Sequence, residues 1–319
     1  MKHSIDQFSN CRILVIGDCM IDEYVWGTVE RISPEAPVPV VAVKHDNATL
    51  GGAGNVVNNL AALKADVTII GTYGLGENGR RMKQMFEDVG ANTDGLTQDK
   101  TRATTIKTRI MASEQHVLRI DRETVHPISS SMVETIALNI SRCIDSMHLI
   151  IISDYGKGLL TPIMLQKIMK VASAHHKTVL VDPKGYNYEK YSGASLITPN
   201  RKEAAQAANM DINDMSSLIC AGHSIMENIG LPRILITCGK DGMVLFEPDT
   251  PPYHIETCAK QVFDVSGAGD TVVSVMGLAL AAGASYREAA TLANAAAGIV
   301  VGKVGTATIS QEELMDAIP

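Results

Sequence analysis

Arg12-Ile-Leu-Val-Ile-Gly17 is an apolar run that ends at Asp18. Runs of the same kind recur at residues 67–71, 149–153, 178–182, 195–198 and 233–238. Near-continuous apolar segments suit strands of a parallel sheet covered on both faces. Between them lie helix-like segments at 54–64, 79–89, 129–145, 162–175 and 214–229. Strand and helix in alternation predict a doubly wound α/β fold with a mostly parallel sheet flanked by helices. Ligands of such sheets bind beyond the carboxyl ends of the strands, where Asp18, Asp154, Asp182 and Asn200 fall.

Two stretches depart from this rhythm. Residues 38–43, after the proline-rich RISPEAPVP, predict an exposed strand outside the main series. Residues 104–111 and 116–121 alternate apolar with polar groups, as a half-exposed hairpin should. Together they predict a small inserted β-lid, with segments at about 20–45 and 100–122, over one end of the main body. Residues 267–302 are rich in alanine and glycine, which fits two closely packed helices. With no repeat or long linker, the reading is one domain over residues 1–319.

A length of 319 residues is compatible with one α/β unit. The net charge of −7 argues against a general nucleic-acid or membrane-surface binder, though it leaves phosphate ligands open. No apolar run approaches the roughly eighteen residues of a membrane span, and no signal peptide is read at the N-terminus. Six scattered cysteines without CxxC spacing fit reduced thiols, so a cytoplasmic protein is expected.

The chemistry concentrates in Asp264-Val-Ser-Gly-Ala-Gly-Asp-Thr271, which opens an alanine-rich helix. Gly267, Ala268 and Gly269 let backbone N–H groups turn inward at a helix N-terminus, an anion site reinforced by the helix dipole. Asp270, in the first turn, is expected to be held ionised there. A carboxylate beside an anion hole suits phosphoryl transfer, accepting a hydroxyl proton while the amides steady the phosphoryl group. Alone, the string is explained as well by an ordinary capped helix. A second glycine string, Gly74-Leu-Gly76-Glu-Asn-Gly79, fits GxGxxG. A dinucleotide fold would place an acidic strand end about twenty residues on, where GANTDGLTQDK (90–100) reads as a loop, so the string is taken as structural.

DVSGAGDT resembles the C-terminal signature of the ribokinase-like (PfkB-type) carbohydrate kinases, in which the final aspartate is the catalytic base. Gly51-Gly-Ala-Gly-Asn55 is similar to that family's N-terminal glycine signature. The resemblance covers nearly the whole chain and implies an ATP-dependent sugar kinase with Mg²⁺. It implies that Asp18, Asp22, Gly51, Gly52 and Asn55 hold the sugar. Asn200-Arg201-Lys202-Glu203 resembles the family's NxxE element, which organises Mg²⁺ through water around the ATP phosphates. An asparagine and a glutamate three apart share one helix face, which also describes a capping box. Thr237, Gly239 and Gly242 match the turn beside the nucleotide, and Asn294 its adenine side.

Residues 30–41, ERISPEAPVPVV, resemble the corresponding stretch of bacterial D-glycero-β-D-manno-heptose-7-phosphate kinases of lipopolysaccharide assembly. Residues 153–158 (SDYGKG), 182–185 (DPKG) and 294–306 also look like that subgroup. A sugar phosphate needs cations. Lys107 and Arg109 alternate with Ile106, Thr108 and Ile110 on one strand and so share a face. Lys157 and Lys184 each follow a core strand. These four are the candidate phosphate clamp, with a solvated lid face as the plain alternative for the first two. Many relatives carry a nucleotidyltransferase domain with an HxGH signature. That signature is absent here, so the expectation is a kinase domain alone, stand-alone or one half of a bifunctional enzyme. Other ribokinase-like sugar kinases, or a non-catalytic sensor of this fold, remain open. A homodimer through the exposed lid strand is expected.

Overall fold

The computed structural model describes residues 1–112, 115–259, 262–303 and 305–318, so Val304 of the 294–306 string lies outside the described residues. After a short helix α1 (Lys2–Asp6), the chain enters the main sheet at β1 (Arg12–Gly17). It leaves for two long strands, β2 (Cys19–Ile32) and β3 (Pro39–Gly52), and returns through α2 (Ala53–Ala62). β4 (Asp66–Gly74), α3 (Glu77–Asp88) and β5 (Asn92–Asp99) complete one wing. The hairpin of β6 (Thr105–Ala112) and β7 (Gln115–Arg122) leaves the body again. The other wing holds α4 (Ser130–Cys143), β8 (Leu149–Ser153), α5 (Pro162–Ala174), β9 (Thr178–Asp182) and β10 (Leu196–Ile197). It continues through α6 (Arg201–Ala208), α7 (Met215–Ile229) and β11 (Ile234–Thr237). Two short strands, β12 (Met243–Phe246) and β13 (Tyr253–Ile255), precede the closing helices α8 (Ala268–Ala281), α9 (Tyr286–Val300) and α10 (Gln311–Asp316).

The main sheet runs β13-β12-β11-β10-β9-β8-β1-β4-β5. It is parallel from β11 to β5, and β12 and β13 add an antiparallel edge. Period-two alternation explains why its strands are apolar throughout. Ile13 and Val15 of β1 pack into the core under α2, α8 and α9, while Leu14 and Ile16 pack into the core under α4, α5 and α7. With helices on both faces, neither side of the strand is left for polar residues.

β5 corrects the sequence reading, which took residues 90–100 for a loop. Among the described residues it is an edge strand paired only with β4, so just two of its eight positions are buried and no apolar run marks it. It also ends in an acidic residue, Asp99, twenty residues after Gly79 by number, so that ground for dismissing GxGxxG does not hold. The carboxylate is nonetheless occupied locally. Asp99 Oδ1 accepts from Thr101 N–H at 2.8 Å and from its hydroxyl at 2.6 Å, and Arg102 Nε lies 3.3 Å from Oδ2.

The lid is a second sheet, β3-β2-β6-β7. Its register puts Asp22 beside Lys107, Tyr24 beside Arg109, and Arg109 and Lys107 opposite Arg119 and Asp121. The charged side chains therefore share a face, as the alternation predicts. Val25, Val41, Ile110 and Leu118 lie together away from it. Among the described residues, no helix is long and apolar enough to cross a membrane.

Candidate active site

Strand order reverses at β1, with β4 and β5 on one side and β8 onward on the other. The crevice at such a switch point lies beyond Gly17 and Ser153, and the N-terminus of α8 reaches it. Gly267 caps α8 with φ 79° and approaches α2 so closely that a Cβ there would lie 2.6 Å from Asn55 Nδ2. The Ala268 N–H donates a long 3.3 Å hydrogen bond to Val265 O.

Asp270 sits in the first turn of α8, 5% exposed. Asn55 Nδ2 donates to its Oδ2 at 2.7 Å, and the Tyr155 hydroxyl donates to its Oδ1 at 2.8 Å. Asn55 is oriented in turn by Asn59, whose Nδ2 donates to Asn55 O at 2.8 Å and whose Oδ1 accepts from the Thr271 hydroxyl at 2.9 Å. Burial pushes the Asp270 carboxyl up to about 6, the two hydrogen bonds pull it down, and the Asp22 charge adds to the rise. Desolvation thus outweighs the donors around it, so the carboxylate is held ionised less firmly than a first-turn helix position alone would give. At pH 7 such a group is still ionised by roughly ten to one, and a base near the working pH transfers protons well.

Two clefts meet at Asp270. The first is lined by Asp182, Lys184, Asn200, Glu203, Gly267 and Gly269, among others. Asn200 Oδ1 accepts from Glu203 N–H at 2.9 Å and Glu203 Oε2 accepts from Asn200 N–H at 3.1 Å, so the NxxE pair is a capping box that also faces the cleft. Lys184 Nζ donates to Glu203 Oε1 at 3.0 Å. Burial, then the charges of Asp270 and Glu203, push Asp182 well above the usual carboxylate range. Among the described residues, no group of three or more His, Cys, Asp or Glu side chains is placed to hold a metal directly. Oxygen donors around a polar cleft fit a Mg²⁺ held mostly through water and phosphate, with Asn200, Glu203 and Asp182 nearest.

Beyond Gly269 the cleft continues into an apolar slot walled by Met243, Val262, Val265, Val272 and Val301, with Thr237, Gly239 and Gly242 along it. Asn294 lines it too, but its amide is turned to the protein, donating to Glu256 O at 2.8 Å. Arg201 and Lys202 are not brought here. Arg201 pairs with Asp241 at 2.8 Å, and Lys202 is exposed on α6.

The second cleft opens toward the lid. Its walls include Asp22, Gly52 and Asn55, and five cations surround it: Lys107, Arg109, Arg119, Lys157 and Lys184. Each has a carboxylate partner. Arg109 pairs with Asp22, Arg119 with Asp121 at 2.8 Å, and Lys157 with Glu123 at 2.6 Å. Lys107 lies 3.1 Å from Asp121 and 3.5 Å from Glu123. Gly51 is buried under Asp22, where any side chain would strike the carboxylate. Asp18 is also displaced from its expected role. It is 4% exposed, and its carboxylate accepts N–H groups of the loop after β8, from Tyr155 at 3.1 Å and Lys157 at 3.0 Å.

A family model for "pfkB family carbohydrate kinase" matches residues 11–313. The chain belongs to the pfkB family. It is therefore a carbohydrate kinase with the ribokinase-like fold. Phosphofructokinase-2 from Escherichia coli in complex with potassium superposes with a TM-score of 0.81 at 18% identity, covering 96% of this chain and 98% of that one. Arabidopsis thaliana ribokinase complexed with ribose and ATP gives 0.76 at 18%, with the same coverage. The bifunctional protein HldE of Desulfatibacillum aliphaticivorans is 54% identical over 98% of this chain, and that of Pelobacter propionicus 47% over 97%. The chain spans 64% and 63% of those relatives' lengths.

In this pfkB kinase the residues missed by sequence reasoning are Tyr155, Arg119, and the Asn59–Thr271 bridge. Arg119 was within reach, because it alternates with Asp121 on the predicted hairpin. Tyr155 lies within the 153–158 string, but nothing local marked its role, since its partner lies 115 residues away.

Proposed function

We propose that this kinase transfers the γ-phosphoryl group of ATP to the anomeric hydroxyl of D-glycero-β-D-manno-heptose 7-phosphate, with Asp270 as the base. The observation that carries the reading is the place of Asp270, where an apolar slot and polar cleft on one side meet a cation-rimmed cavity on the other. The slot suits an adenine base, and the rim suits a sugar that already bears a phosphate. The 30–41 string, similar to heptose-7-phosphate kinases, points to the particular sugar.

In this mechanism Asp22, Gly52 and Asn55 orient the sugar, and its hydroxyl proton passes to Asp270 as the oxygen attacks phosphorus. An anomeric hydroxyl is more acidic than an ordinary alcohol, so a carboxylate suffices. The N–H groups of Gly267 to Asp270 face the developing phosphoryl charge, Ala268 exchanging its bond to Val265 for the phosphate. Bound Mg²⁺ would neutralise charge between the phosphates, near Asn200, Glu203 and Asp182. Lys107, Arg109, Arg119 and Lys157 receive the distal phosphate, which takes over from the carboxylates that hold them here. The proposal includes a homodimer, supported by exposed Val38, Val43, Val117 and Leu118 on the lid.

The test is ADP release with Mg·ATP across a panel of sugars and sugar phosphates, beside Asp270→Asn. Turnover confined to heptose 7-phosphate and lost in the variant is expected. Preference for another sugar would discard the substrate, and full turnover in a folded variant would discard the base.

A further inference from the structure

We infer that Tyr155 is a positioning residue for the catalytic base, and that Asp18 seats it. This rests on Asp270 being the base, as proposed above. The Tyr155 hydroxyl holds Asp270 Oδ1 while Asn55 holds Oδ2. A carboxylate free to turn about its Cβ–Cγ bond offers either oxygen in many directions. One fixed at both oxygens keeps a single orientation, and only the remaining lone pairs face the acceptor. Tyr155 lines both clefts, so its hydroxyl bonds the base where sugar and phosphate must meet.

The loop that carries Tyr155 contains two glycines at positive φ, Gly156 and Gly158, and would otherwise have wide conformational freedom. Two carboxylates remove it. Asp18 accepts from the N–H groups of Tyr155, Lys157 and Leu159, at 3.1, 3.0 and 3.4 Å. Asp154 Oδ1 accepts from Gly156 N–H at 2.8 Å. Asp154 is itself anchored through Oδ2 by Lys190 at 2.8 Å and by the Tyr191 hydroxyl at 2.7 Å. The buried Asp18, read from the sequence as a sugar ligand, thus acts on the site through the loop.

The phenol is a dependable donor, because burial first, then the charges of Asp270 and Asp182, keep its proton on. The groups that face Asp270 are Asp22 from β2, Asn55 from α2, Tyr155 from the loop after β8 and Asp182 from the end of β9, with Lys184 just beyond. Asn55 and Tyr155 favour the ionised form and the Asp22 charge opposes it. Removing the Tyr155 hydroxyl leaves Asp270 easier to protonate.

The deciding experiment labels the protein with [4-¹³C]aspartate and assigns the Asp270 carboxyl by its loss in Asp270→Asn. Wild type and Tyr155→Phe are then titrated without substrate. The wild-type midpoint near 6 should move up by about one pH unit, the size expected for one lost hydrogen bond to a charged group. In parallel, the pH profile of kcat/KM with Mg·ATP and heptose 7-phosphate should shift its acid limb the same way. The value should fall about twentyfold at pH 6, of which about fivefold is lost ionisation, and a several-fold loss should persist at pH 8.5, where orientation alone remains. Asp18→Asn should move the midpoint in the same direction by less, and it decides the matter if Tyr155→Phe does not fold. An unmoved or lowered midpoint overturns the inference. Should Asp270→Asn keep full turnover, the base assignment itself falls, whereas an inactive Asp270→Asn with an unshifted Tyr155→Phe removes only the role of Tyr155.

Discussion

Every residue of β8 in the main sheet is buried, whereas every residue of β7 in the lid is exposed. The first strand packs between two layers of helices, and the loop at its end brings the Tyr155 hydroxyl to Asp270. Among the described residues no helix covers the second, and its charged side chains are set by ion pairs such as Arg119–Asp121 and Lys107–Asp121. The groups proposed to make bonds thus stand on the part of the molecule fixed by packing, and most of those proposed for recognition on the part fixed by charge. Packing holds a position whether or not substrate is present, but ion pairs can be traded for a substrate's phosphate.

The sharpest break of this division would come from the base. Asp270→Asn should lower kcat by roughly 10²–10⁴-fold with the lid intact, measured as ADP release at saturating substrate. A variant with unchanged kcat would remove the main body's claim to the chemistry. Stability should divide the same way. Ile151→Ala in β8 removes a fully buried side chain and should cost about 2–5 kcal/mol in chemical denaturation. Leu118→Ala in β7, 55% exposed, should stay within about 0.5 kcal/mol for the isolated chain. Comparable losses would mean that the lid is packed against something as the core is.

Neutralising the lid cations with Lys107→Met and Arg109→Gln should raise KM for a sugar phosphate by about 10–100-fold and leave kcat within a few-fold, by the size of charged hydrogen bonds. Equal damage to kcat would blur the two regions. The smallest effect is on stability against pH. The Asp270 carboxyl is raised from 3.8 to about 6 on folding, so the folded chain binds that proton more tightly. The resulting stabilisation is full below about pH 4 and is lost as pH rises through about 6. Asp270→Asn avoids that loss. It should therefore melt above wild type at pH 8, by about 2–4 °C, with the gap roughly halved at pH 5 and closed by about pH 4.

What the sequence disclosed follows the same line. β1, β8 and β9 were legible because burial on both faces leaves only apolar residues, and the lid's charged face because strand side chains alternate. β5 escaped because an edge strand is free to be polar. At Asp18 the residue and its place were legible but its direction was not. A carboxylate at a strand end serves a ligand or its own loop, and only the folded loop, with its N–H groups turned inward, decides. The upward shift of the Asp270 carboxyl was not legible for a related reason: the helix start is written in the sequence, but the depth of its burial is not. Arg201 and Lys202 share a motif with Asn200 and Glu203, yet one face of a helix takes only the first and last.

The passage from Gly17 through Asp18 into β2 has a mechanical meaning. β2 has fourteen residues, and at about 3.3 Å each it forms an arm about 45 Å long, rooted in the main sheet beside the base. Asp22, alongside Lys107, lies about 10 Å out along it, and Ile32 at the far end. A swing of about 5° at the root would move the cations by about 1 Å but the tip by about 4 Å. Leverage therefore runs inward. A weak grip on the exposed end of the lid would move the cations with roughly fourfold advantage in force.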